Sequence, residues 1–131
     1  MLGELFAMMQ YKTTDKDCLQ CCVAGLLDFE LSQVPTWSEW MDLGRSEDGE
    51  ERWFKPFVRW CRTNTLLTPV GTGESVAKLR HICVVRSERG VAHAVVAEGN
   101  EVVWDPSYPV KGVEAREVLY RIVFVPNDIF K

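Results

Sequence analysis

Cys18, His93 and Asp105 are the residues in this chain whose types and settings suit covalent chemistry. Cys18 opens the segment Cys18-Leu-Gln-Cys-Cys-Val-Ala-Gly-Leu-Leu27, in which Leu19, Cys22, Val23, Leu26 and Leu27 recur at helical spacing behind Asp17, a good N-cap type. In the first turn of a helix, backbone N–H groups and the positive end of the dipole favour a thiolate, the nucleophilic form of sulfur. An intracellular cysteine taken alone is more often a small buried hydrophobe, so the case for Cys18 rests on its companions. His93, one of two histidines, interrupts the apolar alternation of Val91-Ala-His-Ala-Val-Val-Ala97, where valine would pack better; a polar ring there needs a partner or a task. Asp105 ends the next apolar run, Val102-Val-Trp-Asp-Pro106, although an Asp-Pro step by itself commonly just terminates a strand.

Pairing geometry couples His93 to Asp105. A three-residue loop of Glu98, Gly99 and Asn100 sets Ala97 against Glu101, Val95 against Val103 and His93 against Asp105 on one face. A two-residue Gly99-Asn100 turn instead sets Asp105 against Ala94, on the other face. A thiol–imidazole–carboxylate triad therefore requires the three-residue loop or a compensating bulge.

The run Asp17-Cys-Leu-Gln-Cys-Cys-Val-Ala-Gly-Leu-Leu27, followed by His93-Ala-Val-Val96 and then Trp104-Asp-Pro106, resembles the papain-like cysteine peptidases. It is most similar to the branch of the bacteriocin-processing (double-glycine) peptidases and small stand-alone bacterial and phage relatives. The resemblance implies Cys18 as nucleophile, His93 as general base and Asp105 as the group that orients the imidazole. It also implies a side-chain oxyanion donor upstream of the cysteine, for which Gln10 is the candidate, although Gln10 lies further upstream than is usual in the family. Leu19 stands where the processing peptidases carry glycine, a change expected to narrow the cleft. The activity implied is cleavage of a peptide, isopeptide or related amide bond through a thioester on Cys18, without a cofactor or metal. A protein or peptide would be the substrate, with specificity drawn from the cleft walls or a protein partner. Two other outcomes fit such a fold: an inactive papain-like binding module, and a peptidoglycan endopeptidase.

Other chemistry reads less well. Cys18-Leu-Gln-Cys21 is a C-x-x-C, but a thioredoxin-like pair should follow a strand, and this one precedes all the convincing strands. A zinc site would need His81, Cys83 or Cys61 as further ligands, at spacings that match no common zinc module. Cys22, Cys61 and Cys83 read as core thiols, Cys21 as a residue able to line the cleft, His81 as a strand-edge residue, and the tryptophans mainly as core. Glu114-Ala-Arg-Glu117 reads as a solvated face.

The elements that must position these groups follow from periodicity. The first helix should run from Asp17 to near Phe29. Ser32 is a candidate cap for a short helix leading through Val34-Pro35 to Trp37, Trp40 and Met41. After a polar loop at Gly44–Glu51, Trp53, Phe57 and Trp60, with Phe54, Val58 and Cys61, give a second amphipathic helix with Pro56 in its first turn. Strands are expected at His81–Arg86, Val91–Ala97, Glu101–Trp104 and Tyr120–Val125, as an antiparallel meander. The expected fold is α+β and papain-like, with N-terminal helices packed on a C-terminal antiparallel β-sheet, in one domain over residues 1–131.

Composition bounds the function. The chain has 131 residues, 47% of them hydrophobic, enough for one buried core. Fifteen basic against 19 acidic residues give a net charge of −4, which argues against a nucleic-acid surface. The apolar start Met1–Met9 is short, carries Glu4 and lacks a basic leader, so neither a signal peptide nor a membrane span is expected there. Five cysteines are then expected as thiols in the cytoplasm rather than as a disulfide framework.

Overall fold

The computed structural model describes residues 17–37, 40, 52–73, 78–86, 92–106 and 117–130. Helix α1 spans Cys18–Leu27 and is buried on nearly all sides of its first two turns, from Cys18 to Gly25. The expected apolar stripe is thus only part of a wider buried surface, made possible by the small side chains of Cys21, Cys22, Ala24 and Gly25, which let the sheet approach closely. Asp17 stands at the N-cap, yet its side chain makes no capping bond; its carbonyl accepts the Cys21 N–H at 2.9 Å. The helix stops at Asp28 in the left-handed region (φ 62°), with the Phe29 N–H returning to the Ala24 carbonyl at 2.9 Å.

Over the described residues Ser32 to Trp37, the helix expected from Ser32 does not form. A single 3₁₀ turn, Leu31–Gln33, begins before it, with the Gln33 side chain accepting the Glu30 N–H at 2.9 Å, and Val34 is extended (φ −100°, ψ 124°). Pro35 is the reason, because its ring disfavours helical backbone at the preceding residue. Gln20 of α1 ties this segment down, its Nε2 donating to the Val34 carbonyl at 2.6 Å and to the Leu31 carbonyl at 3.2 Å. Trp37 and Trp40 are buried all the same, while Met41 and the Gly44–Glu51 loop lie outside the described residues. Helix α2 spans Phe54–Asn64 and carries Pro56 in its first turn, where no N–H is needed. Phe57 and Cys61, one turn apart, are fully buried. The Phe57 ring packs on Trp37 (4.8 Å between centroids), Trp53 (5.6 Å) and Phe124 (6.3 Å), so aromatic edges join α2 to the sheet.

Five strands form one antiparallel sheet: β1 (Leu67–Thr72), β2 (Arg80–Arg86), β3 (Ala92–Glu98), β4 (Glu101–Trp104) and β5 (Val118–Pro126), in the order β1-β5-β2-β3-β4. The α+β class is therefore as expected, and the last four strands lie within about two residues of the expected positions. The meander holds only for β2-β3-β4. Strand β5 crosses back to lie between β1 and β2, long enough at nine residues to pair with both. Strand β1 was hidden by Pro69 and Gly71, and Pro69 is tolerated because β1 is an edge. Both faces of the sheet bury apolar groups. Ile82, Val84, Ala94, Val96 and Ile122 pack with the helices, and Cys83, Val95, Ala97 and Val102 form a smaller cluster. His81 belongs to the central strand β2 and is fully buried, not at an edge. Among the described residues, no helix is long and apolar enough to cross a membrane.

Candidate functional site

Helix α1 lies on β3, and its first turn brings Cys18 to the start of that strand, where His93 is the second residue. Asp105 directly follows the last residue of β4. The connection between them is a two-residue turn: Glu98 pairs with Glu101, and Gly99 takes φ 60° at the first central position, the place that type II′ turns give to glycine. That register alone would carry Asp105 to the wrong face. It is corrected one pair later, where Ala97 opposes Val102 but Val96 opposes Trp104, so Val103 is an extra, bulged residue. Continued past Trp104, the shifted register sets Asp105 against Val95, on the same alternation as His93 and diagonal to it. The compensating bulge, not the three-residue loop, is the device used.

The side chains meet accordingly. His93 Nε2 lies 2.8 Å from Asp105 Oδ1, with the two side chains 16% and 11% exposed. The Cys18 side chain acts on the same ring, being among the groups that raise the His93 pKa. With Nε2 committed to the carboxylate, Nδ1 is the nitrogen left for sulfur. Burial alone would lower the His93 pKa, but the hydrogen bonds to Asp105 and Cys18 and the negative charge they bring outweigh it and raise it to about 9. At neutral pH the ring holds both protons, between a carboxylate and a sulfur. Cys18 itself is only 1% exposed, so the solvent-facing side of the trio is its His93–Asp105 edge.

The other cysteines differ in kind. Burial first, and then electrostatic coupling to Cys18, Cys21, Asp105 and Cys83, holds the Cys22 thiol well above its ordinary range. Burial pushes Cys61 up to about 12 and raises Cys83, the latter against the pull of the Arg121 cation. Cys21 is fully buried and lines no open cleft, and Leu19 is packed in the core, so it does not narrow an open cleft either.

Of the four residues expected at the site, Cys18, His93 and Asp105 are brought together, and Gln10 lies outside the described residues. The Cys18 backbone N–H, first of the helix, is free of an intrahelical acceptor and suits an oxyanion. The residue that sequence reasoning missed is Arg121, buried in β5 and bonded to the Gly99–Asn100 turn. Its signal was the one that marked His93, a polar residue inside the apolar run Leu119-Tyr-Arg-Ile-Val-Phe124. Among the described residues, no group of three or more His, Cys, Asp or Glu side chains is arranged to hold a metal ion. The chain matches no protein-family model, no curated protein and no solved structure.

Proposed function

We propose that this chain is a small papain-like thiol hydrolase that cleaves a peptide, isopeptide or related amide bond through a thioester on Cys18. The observation that carries the reading is one imidazole held on Nε2 by Asp105 and acted on as well by the Cys18 side chain, which raises its pKa. In the first half-reaction the Cys18 sulfur attacks the carbonyl carbon while the C=O electron pair moves onto oxygen. Collapse of that intermediate breaks the C–N bond, and the His93 imidazolium gives its Nδ1 proton to the leaving amine. In the second half-reaction neutral His93 takes a proton from water, hydroxide adds to the thioester, and the acid leaves as the Cys18 sulfur is released. Asp105 accepts the Nε2–H throughout, which fixes the ring and stabilises its charged form. The Cys18 N–H is the backbone oxyanion donor, and Gln10 is the side-chain donor that the papain-like resemblance implies. A cytoplasmic protein or peptide substrate is part of the same reading, with no cofactor.

The burial of Cys18 favours a second reading, a module of the same type that binds a protein without cleaving it. Alkylation with iodoacetamide across pH, mapped by mass spectrometry, separates the two. A hydrolase has one fast thiol, Cys18, labelled well below the ordinary thiol pKa of about 8.5, and His93→Ala abolishes the rapid phase. Uniformly slow labelling of all five cysteines overturns the hydrolase reading and supports the binding module.

A further inference from the structure

A second polar group is built around a buried cation beside Cys83. Arg121 of β5 is 4% exposed and His81 of β2 is 0% exposed. His81 Nδ1 lies 2.7 Å from the Leu79 carbonyl, which only accepts, so Nδ1 carries the proton and Nε2 is the acceptor. Arg121 Nη1 donates to that Nε2 at 2.8 Å and to the Gly99 carbonyl at 2.8 Å, and Nη2 donates to Asn100 Oδ1 at 2.7 Å. His81 is thus a neutral prop that holds the guanidinium without offsetting its charge.

Among the described residues, no carboxylate is hydrogen-bonded to this guanidinium. Burying a guanidinium without one is costly, and an apolar residue of similar size would serve the core as well. The arrangement makes sense by what the cation holds. Gly99 and Asn100 are the two central residues of the β3–β4 turn, and turn length decides which face Asp105 reaches. The Val103 bulge compensates a two-residue turn only. Combined with a three-residue loop, it would return Asp105 to the position opposite Ala94, away from His93. The ion pair of Arg80 with Glu98, at 2.6 Å, ties β2 to the last residue of β3.

We propose that Arg121 is a positioning residue for the triad: propped by His81, its guanidinium fixes Gly99 and Asn100 as a two-residue turn and so selects the register that delivers Asp105 to His93. The proposal rests on the triad reading, and its readout is the imidazole rather than catalysis. The His93 ring is titrated by NMR in the parent chain and in Arg121→Met, Arg121→Lys and Asn100→Ala, with the thermal midpoint and the Cys18 alkylation rate measured alongside. The parent ring is expected to titrate at about 9. In Arg121→Met the midpoint drops toward the ordinary value of about 6.5, and Cys18 alkylation at neutral pH slows on the order of tenfold to a hundredfold. Asn100→Ala, an exposed change that leaves the core intact, shows the same drop to a smaller extent. Arg121→Lys keeps the charge but loses the planar fork, and falls between Arg121→Met and the parent. Folded variants with lowered thermal midpoints but unchanged His93 titration would overturn the proposal, leaving Arg121 as a core residue only. Should Arg121→Met not fold, Asn100→Ala decides by the same criterion. A parent chain without hydrolytic activity whose His93 still titrates near 9, and drops in the variants, removes the hydrolase reading and supports the clamp.

Discussion

The two histidines of this chain sit on adjacent strands of one sheet and are pushed in opposite directions. His93, at the start of β3, has a carboxylate on Nε2 and a sulfur beside it, and its pKa rises to about 9. His81, the second residue of the central strand β2, is lowered: burial comes first, the Leu79 carbonyl works against it, and the Arg121 cation adds to it. Burial acts on both rings in the same sense. The sign of the outcome is decided by the charge of the immediate partner, an anion at His93 and a cation at His81. One ring is thereby kept as a proton donor and the other as a neutral hydrogen-bond acceptor, in keeping with a reactive site on one and a structural prop in the other.

The comparison breaks most sharply at Asp105. In Asp105→Ala, His93 should titrate near the ordinary value of about 6.5 and hydrolysis should fall roughly 10²- to 10⁴-fold, with the fold retained by circular dichroism. Deleting Val103 tests the same link without touching a triad residue. It removes the extra residue in β4 but keeps Trp104 against Val96 and so Asp105 against Val95, on the His93 face, and should leave both readouts near those of the parent chain; a deletion that behaves like Asp105→Ala would show that the site depends on the bulge itself and not on the register it sets.

Smaller effects appear in stability against pH, measured as urea midpoints. His93 has a folded pKa of about 9 against about 6.5 unfolded. Its contribution, roughly 3 kcal/mol, is therefore fully present below pH about 6.5 and is lost as pH rises from there through about 9. Asp105→Ala should flatten that alkaline limb. His81 acts with the opposite sign and more weakly. Its folded pKa lies below its unfolded value, so the unfolded chain takes up the proton first and stability falls as pH drops below about 6.5. His81→Leu should remove that acid limb and, by withdrawing the prop of Arg121, weaken the alkaline one.

Much of the site was legible because its groups break local patterns. Cys18 at a helix start, His93 in an alternating strand and Asp105 before a proline each stand where an apolar residue or a simple terminator would serve. Arg121 and His81 break the same pattern, yet a polar residue near the end of a strand has a ready explanation as an edge, and only the sheet order puts β2 in the centre. The crossing of β5 lies beyond local reading for the same reason, since strand order depends on which buried faces meet and not on any one segment. Strand β1 was masked by Pro69 and Gly71, residues that an edge tolerates. The helix at Ser32 was an overreading of capping type against the stronger constraint of Pro35. Hairpin parity is legible in the sequence as a condition, but a bulge at Val103 has no signature in a Val-Val-Trp run and emerges only from pairing.

The most direct test of the central claim is the fate of a small acyl group. Incubation with p-nitrophenyl acetate, followed by intact-mass analysis and peptide mapping, should show a single acetyl group on Cys18 that turns over at neutral pH. Cys18→Ala should show none, and His93→Ala should acylate and deacylate slowly. Acetyl groups spread over lysines or the other cysteines, or no acylation of Cys18 at all, would contradict the account.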